Sequence, residues 1–159
     1  MAAEYIVSKL GEGTPVAELE GIPGASASRE RGQGFHNIAD KKLKVLAKQS
    51  ANFDRSQGLT VSENILQANP DVKAIFAQND EMALGAISAA KAANKQIFII
   101  GFDGTDDGVK AVKDGTMAAT IAQQPDKMGE IGVDAALKLA KGENVENNIA
   151  VDLKLIENK

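Results

Sequence analysis

Cysteine and tryptophan are absent from the 159 residues, and histidine occurs once, at His36. Without cysteine the chain has no disulfide framework and no thiolate chemistry. One histidine and no cysteine also exclude Cys/His zinc sites and clusters of repeated histidines, so no metal site is expected. The compartment stays open, because a cysteine-free chain suits the cytosol and the cell exterior equally. Aromatic residues are scarce at 4%, five of them phenylalanines: Phe35, Phe53, Phe76, Phe98 and Phe102. Four lie in or beside apolar runs and are assigned to the core; Phe53 lies in a polar stretch. Apolar runs reach about five residues, far short of a membrane span. A basic excess is lacking as well. Lys and Arg total 18 against 22 Asp and Glu, a net charge of −4, which argues against nucleic acid as a partner. Met1-Ala2-Ala3-Glu4-Tyr5 has neither the basic start nor the apolar core of a signal peptide, so none is expected in this chain.

What remains is a composition of 43% hydrophobic and 25% charged residues, ordinary for one globular domain with a proper core. The pattern predicts helices over 2–10, 27–40, 55–68, 81–93, 106–114 and 127–141. Strands are predicted over 15–20, 43–47, 72–77, 97–102, 117–122 and 151–156. The first helix has no capping residue at its start and reads as the tail of something longer. Ser26 or Ser28 is expected to cap the second, with Gly32 and Gly34 allowing it to pack closely. Helix 127–141 carries an apolar stripe through Met128, Ile131, Val133, Ala136, Leu137 and Ala140, and Gly142 stops it. Strands alternate with helices, and Gly or Pro stands at nearly every junction. That is an α/β fold, a doubly wound, mostly parallel sheet flanked by helices on both faces.

Ile97-Phe98-Ile99-Ile100-Gly101-Phe102 is its most deeply apolar strand, and it runs into Asp103-Gly104-Thr105. Parallel strands share one C-terminal edge, where open α/β sheets bind ligands. The residues just after the strands are the 21–31 turn and first helical turn, Asn52-Phe53-Asp54, Gln78-Asn79-Asp80, Asp103-Gly104-Thr105 and Gln123-Gln124. Arg, Asn, Asp and Gln are planar groups that can grip adjacent hydroxyls in pairs, and an aromatic face covers the C–H side of a sugar ring. The set suits a small polyol. Each member also has a plainer reading. Asn79 or Asp80 can cap the next helix, Asp103 can form a turn, Phe53 can be core, and Arg29 can sit on a solvated helix face with Glu30. Other chemistries fit less well. The Gly21 turn lacks the G-x-G-x-x-G spacing of a dinucleotide site, no phosphate loop is present, and no serine stands in a nucleophile elbow for His36 to serve.

Taken together, Ala77-Gln78-Asn79-Asp80-Glu81-Met82-Ala83-Leu84-Gly85, Gly101-Phe102-Asp103-Gly104 and Ala119-Thr120-Ile121-Ala122-Gln123-Gln124-Pro125 resemble the ribose-binding proteins of bacterial ABC importers. Arg29-Glu30-Arg31-Gly32-Gln33-Gly34-Phe35 and the ending Val151-Asp152-Leu153-Lys154-Leu155 extend the resemblance over essentially the whole chain. It implies a flavodoxin-like single lobe of a type I periplasmic binding protein, the C-terminal one, without its partner lobe. It implies Arg31, Phe53, Asn79, Asp103 and Gln123 as sugar contacts, with hinges at Gln123, Gln124 and Asp152. It divides the chain into a lobe of residues 1–123 plus 153–159 and a crossover, 124–152, that packs on the other lobe in the family. Without that lobe the stripe of helix 127–141 needs another surface: this lobe's own sheet, or a second copy of the chain. The implied ligand is D-ribose. The implied partners are an ABC importer permease, with a chemoreceptor as a further candidate and a homodimer through helix 127–141 or the terminal strand as another. No cofactor and no catalysis are implied, and the intact protein is expected in the periplasm or attached outside the cytoplasmic membrane. The isolated lobe is expected to bind sugar weakly or not at all. Two alternatives stand beside this: the sugar-sensing effector domain of a transcriptional regulator, and a free-standing flavodoxin-like nucleotide-binding domain.

Overall fold

A computed structural model of the chain describes residues 1–158. The strands are β1 (Pro15–Glu20), β2 (Lys44–Ser50), β3 (Ala74–Ala77), β4 (Phe98–Asp103), β5 (Ala119–Ala122) and β6 (Lys154–Glu157). Between them lie α2 (Ser26–Lys42), α3 (Arg55–Ala68), α4 (Asp80–Ala92), α5 (Asp106–Lys113) and α6 (Pro125–Ala140), with α1 (Ala2–Leu10) ahead of β1. One sheet in the order β2-β1-β3-β4-β5-β6 contains every strand among the described residues. The first five are parallel, as the alternation predicts, and β6 runs antiparallel to β5. After β5 the chain leaves through α6 and comes back along the same edge, which reverses its direction. That final strand is shorter than predicted, because Val151, Asp152 and Leu153 lie outside the ladder.

Side-chain alternation divides the core into two layers. Val16, Ala74, Phe76, Ile100 and Phe102 face α1 and α2, where Ile6, Phe35 and Ala39 meet them. Phe35 stacks on Phe76 with ring centroids 4.8 Å apart. Ala17, Leu19, Ile75, Ala77 and Ile99 face the other way, toward Ile65, Met82, Ala86 and Val112 on α3, α4 and α5. The small side chains of α4 let it lie close to the sheet, and seven of its residues are buried.

Several expectations are corrected by the structure. Neither Ser26 nor Ser28 caps α2: the helix starts at Ser26 itself, its N-cap is Ala25, and no side chain accepts from its first turn. Gly34 faces open space, whereas Gly32 does allow close packing, since a Cβ there would stand 3.0 Å from Gln78 Nε2. β2 runs on to Ser50, three residues past the predicted end at Ala47, because its register with β1 continues to the Glu20–Ser50 pair. Of the two surfaces open to α6, the sheet goes unused. None of its residues is buried, and Met128, Val133, Leu137 and Leu139 stay exposed. Ile131 and Ala135 share a shallow groove with Val145 and Ile149 of the segment that follows. Among the described residues no helix is long and apolar enough to cross a membrane.

Candidate functional site

Because β1 to β5 are parallel, their last residues arrive at one edge, and the five sequence-predicted residues meet there. Asp103 is the end of β4 and stands opposite Ala122, the last residue of β5. Its Oδ1 is 3.1 Å from Arg31 Nη2 and accepts from Gln123 Nε2 at 2.6 Å. Arg31 reaches over from α2. Its guanidinium lies 4.0 Å from the Phe102 ring centroid and 5.7 Å from that of Phe53, and its Nη1 donates to the Gln78 carbonyl. Asn79 donates from Nδ2 to the Phe53 carbonyl at 3.1 Å, while its Oδ1 accepts from the Met82 N–H. The plainer reading of Asn79 therefore holds: it is the N-cap of α4. The cap and the carbonyl use one acceptor and one donor, which leaves its amide a second N–H to offer.

Backbone conformation singles out the same place. Among the described residues four non-glycines have positive φ, and they include Phe53 at 60° and Asp103 at 118°. Such backbone is costly for a residue with a side chain, and it concentrates at ligand-binding positions. A plain turn former at 103 would do better as glycine. Phe53 is seated on Gly21, where a Cβ would fall 2.0 Å from its ring Cζ, so any larger residue there displaces the ring.

Burial raises the Asp103 carboxyl above its ordinary value, while Arg31 and the hydrogen bond from Gln123 pull it back down; burial wins. The Arg31 side chain is 14% exposed and that of Asp103 28%. Beside them a depression of about 320 Å³ is lined by Ser26, Ala27, Glu30, Arg31, Phe102, Gln123 and Leu153. A half-open rim with a guanidinium, a carboxylate, two amides and an aromatic face can hold a hydroxyl-rich molecule on one side. Gln124, one of the expected hinge residues, donates from Nε2 to the carbonyl of Asp152, another of them, which ties the two segments together at 2.5 Å.

Sequence reasoning missed three features. Phe102 is core by burial, yet its ring also carries Arg31; its position just before Asp103 was the available signal. Gln78 is completely buried and holds the Gly21 N–H on its Oε1 at 2.9 Å. Asp80 is completely buried as well, accepting from the Thr105 N–H, the Thr105 hydroxyl and the Thr120 hydroxyl at 2.8, 2.9 and 2.6 Å. Among the described residues no cluster of His, Cys, Asp and Glu could hold a metal ion.

Comparison with known proteins places the whole chain. Residues 1–144 match the family model described as a periplasmic binding protein domain. The ribose import binding protein of Haemophilus influenzae is 62% identical over 98% of this chain and 54% of its own length. A solute binding protein of an ABC transporter from Actinobacillus succinogenes, solved with bound D-allose, superposes with a TM-score of 0.90 at 36% identity, over 98% of this chain and 56% of that one. A periplasmic ribose ABC transporter protein from Conexibacter woesei gives a TM-score of 0.91 at 31% identity, over 98% and 54%. The chain thus spans about half the length of the relatives it matches. With a matching sequence over most of its length and a matching sheet, the chain belongs to the periplasmic binding protein family.

Proposed function

We propose that this chain supplies one face of a D-ribose site, as the C-terminal lobe of a solute-binding protein that captures the sugar for an ABC importer and carries out no chemistry. The observation that carries the reading is the meeting of Arg31, Phe53, Asn79, Asp103 and Gln123 at one sheet edge, two of them on strained backbone. Asp103 and Arg31 take adjacent hydroxyls, Asn79 and Gln123 take others through their amides, and Phe53 covers the ring's C–H face. The H. influenzae relative bears a ribose-binding name, and its high identity supports ribose over other polyols. The intact protein closes on sugar by motion at Gln123, Gln124 and Asp152, in the periplasm or tethered outside the cytoplasmic membrane, and presents both lobes to a permease; a chemoreceptor is a second candidate for the closed form. Residues 124–152 form the crossover, and their exposed apolar side is covered by the other lobe or by a second copy of this chain.

One face alone binds poorly. Each hydrogen bond contributes about 1 kcal/mol net, and without closure water competes for every one. The affinity of this chain is therefore about millimolar at best. Calorimetry on the chain with micromolar ribose gives no heat of binding. A saturating, tight isotherm contradicts the one-face account.

A further inference from the structure

Behind the rim lies a line of polar side chains, none of them among the five proposed sugar contacts. Glu18 sits inside β1 with no exposed surface, on the side of the sheet that faces α2. A buried carboxylate is costly unless its oxygens are occupied. Here both are. Oε1 accepts from Gln78 Nε2 at 2.8 Å, and Oε2 lies 2.7 Å from His36 Nε2. The other ring nitrogen of His36, Nδ1, lies 2.6 Å from Asp40 Oδ1. With a carboxylate at each ring nitrogen, the doubly protonated imidazole satisfies both contacts and the neutral ring one.

We infer that Glu18 is a positioning residue for the sugar face, fixing the Gly21 turn and Arg31 through Gln78. The step through Gln78 follows from its amide. Once Nε2 is committed to Glu18, Oε1 must point the other way, and there it receives the Gly21 N–H at 2.9 Å. Gly21 is the seat of the Phe53 ring. The main chain of the same Gln78 supplies the carbonyl that takes Arg31 Nη1. One buried carboxylate thus orients the side-chain amide on which the Gly21 turn rests, in the same residue whose carbonyl takes Arg31. The groups that act on the His36 ring are Glu18 from β1 and Asp40 from its own helix. Burial pushes His36 down, but Asp40 and Glu18 outweigh it and leave the ring above its ordinary value. Its titration is therefore a reporter on Glu18.

The consequence for sugar rests on the reading proposed above; the positioning itself does not, and no sugar is needed to test it. His36 is the chain's single histidine, so its Cε1–H gives one resolved proton signal. NMR of the full chain across the neutral range follows that signal together with the Gly21 amide and the Arg31 Nε–H. The expected result is a common midpoint for all three. Glu18→Gln lowers the His36 midpoint and uncouples Gly21 and Arg31 from it. His36→Gln, at the half-exposed end of the line, keeps the fold and flattens both signals. Any movement of Arg31 that persists below the neutral range in that variant belongs to Asp103. The inference is overturned if Gly21 and Arg31 stay flat through the His36 midpoint in the parent, or titrate unchanged in His36→Gln. Should Glu18→Gln fail to fold, the His36 variant alone decides.

Discussion

Asp103 ends β4, Asp80 opens α4 three residues past the end of neighbouring β3, and the chain treats the two in opposite ways. Asp80 is sealed in a nest. Three donors fill its oxygens, and two glycines press against it: a Cβ at Gly101 would fall 2.3 Å from Oδ1, and one at Gly108 2.2 Å from Oδ2. It ties α4, the 105 turn and β5 into one body. Asp103 is held by two side chains on strained backbone and keeps its outer side open. One carboxylate is enclosed by the fold and the other keeps a face open to solvent. Residue type does not distinguish them, since both are aspartates that follow neighbouring strands to one sheet edge. The number of internal donors does.

Substitution can break that contrast, and the largest effect is expected at Asp80. Asp80→Ala leaves the Thr105 N–H and two hydroxyls without their acceptor and should cost about 3 kcal/mol, read by urea denaturation. A loss within about 0.5 kcal/mol would show that the nest is ornamental. Gly108→Ala attacks the same nest from outside and should cost about 1–3 kcal/mol through overpacking against the carboxylate. Asp103→Gly goes the other way. It relieves the positive-φ strain while giving up the contacts to Arg31 and Gln123, so stability should stay within about 1 kcal/mol of the parent, while ribose-induced NMR shifts disappear. A large destabilisation there would make Asp103 a second Asp80.

Acid sharpens the comparison. The Asp103 carboxyl is raised in the folded chain, so between its ordinary value of 3.8 and that raised value the folded state holds the proton more tightly than the unfolded one. The stability this supplies is fully present below the ordinary value and is lost as pH rises through the folded one. Denaturation of the parent and of Asp103→Asn over that window should show this loss in the parent and not in the variant. The smallest effect is expected far from either aspartate. Val133→Glu and Leu137→Gln on the exposed side of α6 should change stability by less than about 0.5 kcal/mol. A larger loss, growing with protein concentration, would mean that a second copy covers this face.

Much of this was legible in the residues. Period-two and period-3.6 patterns give the order of strands and helices, and parallel topology then carries every strand end to one edge, so the rim could be assembled without coordinates. The antiparallel β6 was hidden, because Val151–Ile156 alternates alike in either direction. Amphipathy was legible in helix 127–141, but a stripe states that a partner is needed and not which one. Glu18 and Asp80 were illegible for a related reason. Charge at a strand position or a helix start predicts exposure, and what reverses it is a set of donors brought in by distant segments, at Thr105 and Thr120 for one and at His36 and Gln78 for the other. The strain at Asp103 is likewise a property of the turn between β4 and α5, which its letter does not reveal.

The most direct test of the rim as a sugar face is an NMR titration of this chain with D-ribose into the high millimolar range, using the backbone amides and the Asn and Gln side-chain amides. The account predicts saturating shifts at Arg31, Phe53, Asn79, Asp103 and Gln123, with a dissociation constant of about a millimolar or weaker and no movement along α6. A rim that stays silent while other residues shift, or that stays silent at every concentration reached, would contradict it.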